Sequence, residues 1–237
     1  MIILAIDTAE TTACAGISDG DKLIGQSSLK AGLTHSETLM PMIEQLMKSA
    51  HLSYDDIDIF ACTAGPGSFT GVRIGVSTVK GLAFGKSKPC IGLSATEALA
   101  YNFVAFNGII CPSMDARRNQ LYNALFECRD GKITRLCGDR MISKDELAKE
   151  LEEDFSGKPI YICGGGSDIL IEATKGNPNI KKTPELLKYQ NGFSCALCAY
   201  NSFLENRNIY SDISLSPIYL RPSQAERMKN EKESANK

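Results

Sequence analysis

The run Gly65-Pro66-Gly67-Ser68-Phe69-Thr70-Gly71-Val72-Arg73-Ile74-Gly75 invites a reading as a phosphate or dinucleotide loop. Thr70 stands where a G-x-G-x-x-G fingerprint needs its last glycine, so that fingerprint fails. Gly85-Lys86-Ser87 has Lys80, not glycine, five positions before Gly85 and follows a helical pattern, so it is not a P-loop. Ser68 lacks the G-x-S-x-G context of an activated nucleophile, and no histidine and carboxylate can be assigned to it. The chain has two histidines, His35 and His51. A zinc hydrolase helix needs its pair four residues apart, so metal catalysis is not expected. Cys195 and Cys198 form the one close pair among nine cysteines. Their neighbours Ala196, Leu197 and Ala199 point to a buried helix and a structural role.

Two aspartates end apolar runs, where a carboxylate and backbone amides can hold phosphate and magnesium. Asp7-Thr8 closes Ile2 to Ile6, but the next residues are Ala9-Glu10-Thr11. Glu10 puts negative charge where phosphates would sit and no glycine lets the backbone approach them, so a structural turn is the reading. Met114-Asp115-Ala116-Arg117-Arg118 is still less suited to a phosphate cradle. Arg117 and Arg118 could bind an anion or a partner's carboxylates, or simply face solvent. Gly164-Gly165-Gly166-Ser167-Asp168 reads as a tight strand-to-helix turn, with a nucleotide-site remnant as the alternative.

The elements that must position these residues follow from the apolar pattern. Ile2 to Ile6, Thr12 to Ile17 and Leu23 to Leu29 read as three strands, the last two joined through Asp19-Gly20. Thr34-His35-Ser36-Glu37 is a capping box, and Leu39, Ile43, Leu46, Met47 and Ala50 make an amphipathic helix that Pro41 should bend. Ile57 to Thr63 is a strand and Thr70 to Gly85 a helix. Gly67, Gly71 and Gly75 can line one face of that helix start, allowing close approach of a backbone that is internal or belongs to a second subunit. The order restarts near Asn107, with strands at Ile109 to Met114, Gln120 to Glu127 and Lys132 to Leu136. A helix at Lys144 to Leu151, a strand at Pro159 to Cys163 and a helix at Ser194 to Leu204 complete it. Duplicated βββαβα units suggest a two-lobed α/β fold of the actin, Hsp70 and sugar-kinase (ASKHA) superfamily, which holds ATP between its lobes. The lobes are expected at 1–105 and 106–220, with 221–237 a mobile tail.

Composition narrows the class. With 43% hydrophobic and 23% charged residues over 237 positions, a buried core needs no staples. No apolar run approaches a membrane span, and the opening residues read as a strand, not a signal peptide. Scattered cysteines in such a chain imply reduced thiols in the cytoplasm. A formal charge of −2 gives no general attraction for a polyanion, so contact with a nucleic acid would need a local patch.

Four segments together resemble the TsaB (YeaZ) family: Ile3 to Ala9, Gly65 to Gly75, Met114 to Arg118, and Pro217-Ile218-Tyr219-Leu220-Arg221. The resemblance implies a non-catalytic scaffold subunit of the machinery that makes threonylcarbamoyladenosine in tRNA. Its implied partners are the catalytic subunit TsaD and, recruited with it, the small ATPase TsaE. The chain alone is expected as a homodimer, with tRNA met only through the complex, no membrane, and no cofactor beyond weak ATP or ADP binding at most. A subunit face is implied on the two helices of the first lobe, over Thr34, His35, Leu39, Ile43, Met47, Gly67, Gly71, Arg73, Gly75 and Val79. Asp7, Asp115, Arg117 and Arg118 are candidate anion or partner contacts. The competing class is an independent ATP-dependent enzyme of the superfamily, which should carry glycine-rich phosphate turns in both lobes.

Overall fold

The computed structural model describes residues 1–221. Its first sheet begins with β1 (Ile2–Asp7), β2 (Ala13–Asp19) and β3 (Lys22–Leu29), paired antiparallel. The chain then passes through α1 (His35–Ser49) to β4 (Ile59–Gly65), and through α2 (Phe69–Ala83) to β5 (Cys90–Ser94). β4 runs parallel to both β1 and β5. A short helix α3 (Ala95–Ala100) and a 3-10 turn at Tyr101–Phe103 lead to the second sheet. There β6 (Gly108–Asp115), β7 (Gln120–Asn123), β8 (Phe126–Arg129), β9 (Lys132–Arg135) and β10 (Arg140–Ser143) precede α4 (Lys144–Asp154), β11 (Ile160–Cys163), α5 (Ser167–Ala173) and β12 (Ile180–Lys181). Last come α6 (Glu185–Lys188), α7 (Gly192–Leu204) and β13 (Ile209–Tyr210).

The two sheets repeat one another. The first has the order β13-β5-β4-β1-β2-β3 and the second β10-β7-β6-β11-β12. With the β8–β9 hairpin set aside, β6, β7, β10, β11 and β12 take the places of β1, β2, β3, β4 and β5, with the same parallel and antiparallel senses. The duplicated unit is thus present, and the fold is the two-lobed ASKHA arrangement.

Alternation along β1 and β4 explains the layering, because successive side chains point to opposite faces. Leu4, Ile6, Phe60 and Cys62 pack with Leu39, Ile43 and Met47 of α1 and Val72, Val76 and Val79 of α2. Ile3, Ala5, Ile59 and Ala61 face the other way, against Cys195, Ala196, Cys198 and Ala199 of α7. Both faces of this sheet are covered, which is why its strands read as continuous apolar runs. The sequence division leaves 106–220 together, whereas α7 and β13 return to the first sheet, β13 pairing with β5. Gly192 makes this return close, since a side chain there would overlap the Ala15 carbonyl. The expected strand from Gln120 to Glu127 is split at Ala124-Leu125, where pairing passes from β10 on one side to β9 on the other. The expected tail begins at the last described residue, and its remainder lies outside the described residues.

The capping box forms as expected, the Glu37 carboxylate accepting from the Thr34 amide at 3.3 Å. No helix among the described residues is long and apolar enough to cross a membrane.

Candidate interlobe site and helix groove

Asp7 ends β1 and Asp115 ends the equivalent β6. Each carboxylate closes its own turn in the same way. Ala9 N–H donates to Asp7 Oδ1 at 2.7 Å, and Arg117 N–H to Asp115 Oδ1 at 2.7 Å. Such Asx turns satisfy the second amide beyond the aspartate without any ligand. Asp7 is fully buried and also accepts from the Thr63 hydroxyl at 2.9 Å. Burial pushes its carboxyl up to about 7, against the pull of the Ala9 and Thr63 hydrogen bonds.

Glu10 spans the space between the lobes. Its carboxylate accepts from Gly165 N–H, with both oxygens near 3.1 and 3.0 Å, and from Gln190 Nε2 at 2.6 Å. Its carbonyl oxygen lies 2.6 Å from His35 Nε2 at the start of α1. Burial raises the Glu10 carboxyl above the ordinary carboxylate range, opposed by the Gln190 and Gly165 bonds. A Cβ on Gly165 would stand 2.6 Å from Glu10 Oε1, so a side chain there would push the carboxylate away from the amide.

The second-lobe turn has an unusual backbone. Arg117, Arg118 and Asn119 have left-handed φ values of 67°, 56° and 59°. For an arginine this conformation costs about 1–2 kcal/mol, whereas asparagine adopts it more readily. Hydrogen bonds from Gln120 N–H to Arg117 O at 3.1 Å and Ala116 N–H to Gln120 O at 3.0 Å help hold the loop. The Arg117 guanidinium lies 3.5 Å from Asp115, and Arg117 and Arg118 are both exposed. The resulting cleft, of about 660 Å³, is lined also by Lys30, Phe69, Tyr122, Tyr189 and Tyr219.

The glycine helix packs behind this turn. Ser68 is its cap, accepting from Gly71 N–H at 3.3 Å, while its own N–H donates to Ala9 O at 2.7 Å. A Cβ at Gly67 would lie 2.5 Å from Ala9 O, one at Gly75 2.6 Å from Thr8 Oγ1, and one at Gly71 would overlap Thr8 O. Thr8 Oγ1 in turn donates to Gly71 O at 2.7 Å. The three glycines therefore serve a contact inside the lobe. Leu39, Ile43, Met47 and Val79 are buried in the first-lobe core. Of these, Leu39 also reaches the surface groove described next.

What α1 and α2 present outward is a groove of about 500 Å³ lined by His35, Met40, Phe69, Thr70, Arg73 and Ile74, among others. Thr34 is exposed at one end of α1. The Arg73 guanidinium sits 3.8 Å above the Phe69 ring, and Arg73 Nε donates to the Tyr219 hydroxyl at 2.7 Å. Phe69 and Tyr219 stack with centroids 4.7 Å apart. The Pro217–Arg221 segment is thus a strap, fixed by Ile218 N–H to Ala64 O at 2.7 Å. Sequence reading did not single out Met40, Ile74 or Gln190 as lining residues, and it named Tyr219 only within the segment that carries the resemblance. The first two sit one step off the core stripes, which was the available signal.

Among the described residues no three His, Cys, Asp or Glu side chains gather where a metal ion could be held. Cys195 and Cys198 are buried and unbridged. Contact with Cys14 together with burial holds the Cys195 thiol well above its ordinary value.

The sequence profile described as TsaD, tRNA N6-adenosine threonylcarbamoyltransferase, matches residues 29–228. The tRNA threonylcarbamoyladenosine biosynthesis protein TsaB of Bacillus subtilis is 29% identical over 236 residues, covering 95% of this chain and 96% of that protein. The Escherichia coli protein of the same description is 32% identical over 167 residues, covering 70% of this chain and 72% of its own. YeaZ from Pseudomonas aeruginosa superposes with a TM-score of 0.78 at 21% identity, over 92% of this chain and 99% of that one.

Proposed function

The chain belongs to the TsaB family, and from that premise we propose that it serves tRNA threonylcarbamoyladenosine biosynthesis as an assembly subunit that contributes no reacting group. The observation that carries this reading is Glu10. An ATP-using member of the superfamily needs backbone donors free for phosphate between its lobes. Here the first-lobe turn places a carboxylate on the Gly165 amide of the second. The second-lobe turn, with Arg117 and Arg118 in left-handed conformations, supports the same reading. No cofactor is required for the role, and any ATP or ADP affinity is weak.

The assembly surface is the groove between α1 and α2. Its half-buried apolar edge, Met40, Phe69 and Ile74, and the single cation Arg73 suit the helices of a homologous first lobe. TsaD is the partner in the working complex, and TsaE is recruited to the pair. A second copy of this chain occupies the groove when it is alone, and tRNA is engaged through the complex in the cytoplasm.

The test is Met40→Asp and Ile74→Asp in the full chain. Each buries a carboxylate at the contact without touching the Gly71 packing, and an uncompensated buried charge costs about 3–5 kcal/mol. Light scattering after size exclusion should show a wild-type dimer and monomeric variants, and TsaD capture should weaken more than about tenfold. Variants that remain dimeric and hold TsaD as tightly as the wild type would remove the groove from the account.

A further inference from the structure

We propose that Glu10 is a latch that fastens the two lobes across the cleft, with His35 holding it from the groove side; the His35 part rests on the groove reading above, the latch itself does not. The lobes are joined at their hinge by α3 and by ion pairs, Arg135 of β9 lying 2.8 Å from Glu97 of α3 and Arg207 3.2 Å from the same carboxylate. The apolar core they share continues from there to Ala9 and Met114, which line the cleft. There, the turn after β1 meets the turn after β11 through the Glu10 carboxylate and Gly165 N–H. Gln190, on the segment between α6 and α7, donates to the same carboxylate. A carboxylate accepting from amides makes charge-assisted bonds, roughly twice as strong as neutral ones.

The geometry also gives the latch a direction of control. His35 belongs to the groove lining, and its Nε2 stands on the Glu10 carbonyl oxygen. Anything that draws the His35 ring toward the groove moves the turn that carries the latch. Closed and open lobes are the two states that such a contact biases.

Two substitutions separate a latch from a merely local bond. Glu10→Ala removes the acceptor, leaving Gly165 N–H and Gln190 Nε2 without it. Glu10→Gln keeps an acceptor for Gly165, and Gln190, whose Oε1 is buried without a partner, can turn its amide to accept the new N–H. Hydrogen exchange on the full chain should show E10A exchanging at least about tenfold faster on both cleft walls, at Ser68 and at Ala116 to Gln120, with β4 and β11 unchanged. E10Q should fall between E10A and wild type, and small-angle scattering should give E10A the larger radius of gyration. His35→Ala should give the same pattern more weakly. Failure of that arm alone would remove the handle and not the latch. Acceleration confined to the Gly165 amide, with an unchanged radius, would overturn the proposal. If E10A loses protection throughout both sheets, Gln190→Ala decides, since it weakens the bridge from the other side and must loosen the same two walls.

Discussion

Gly71→Val should lower the stability of the monomeric chain by about 3 kcal/mol, the upper end for overpacking a closed interior. The added side chain begins inside the van der Waals envelope of Thr8 O. That oxygen is backbone, and Thr8 is tied back to Gly71 O through its hydroxyl, so neither side can give way easily. Helix propensity works in the opposite direction, valine being better than glycine by a few tenths of a kcal/mol, which is too little to offset the clash. Urea unfolding at two protein concentrations measures the effect. The loss should be the same at both, because the contact lies within one lobe. A loss present only where the chain is dimeric would restore the glycines to a subunit face.

Asp7→Asn should flatten the pH dependence of stability between about pH 4 and 8. A carboxyl whose folded value is raised binds its proton more tightly in the folded state than in the unfolded one. Its contribution is fully present below the unfolded value and is lost as pH rises through the folded one. For Asp7 that window runs from the ordinary 3.8 to about 7. At about 1.36 kcal/mol per pKa unit, the difference sets an upper bound of about 4 kcal/mol. Asparagine keeps an oxygen for Ala9 N–H and the Thr63 hydroxyl, so the turn survives the change. Denaturant unfolding at pH 4.5 and 8 should show the wild type losing ground to the variant as pH rises. Parallel curves would mean that Asp7 ionises in the fold without penalty.

The parts of this fold legible from sequence are those encoded locally. The Asp19-Gly20 turn, the Thr34 to Glu37 capping box and the apolar runs of β1 and β4 each declare themselves within a few residues. β5 and α3 were missed because Ser94 ends the strand and caps the helix at once, accepting from Glu97 N–H, with no turn residue between. The return of α7 to the first sheet is not written in its own pattern, since an apolar helix does not name the sheet it covers. Periodicity finds the apolar stripe of a helix, and in α1 and α2 that stripe, with Leu39, Ile43, Met47 and Val79, is the core, so the residues that line the outer groove carry no such pattern. Glu10 reads from sequence only as a negative charge in the turn after β1, because its bridging role depends on Gly165 and Gln190, separated from it by 155 and 180 positions.

The central claim, that this chain assembles a reaction and takes no chemical part in it, is tested most directly by reconstituting threonylcarbamoyl transfer with TsaD, TsaE, tRNA and threonylcarbamoyl-adenylate. Wild type, Asp7→Asn and Asp115→Asn are compared at concentrations where light scattering shows each variant fully assembled. Loss of a reacting acid, base or nucleophile typically costs a factor of roughly 10² or more even in an intact complex. Both aspartates close their own turns, so the account predicts rates within about threefold of wild type, less than 1 kcal/mol in the barrier. A fully assembled variant slowed a hundredfold or more would show that this chain supplies chemistry, and would contradict the account.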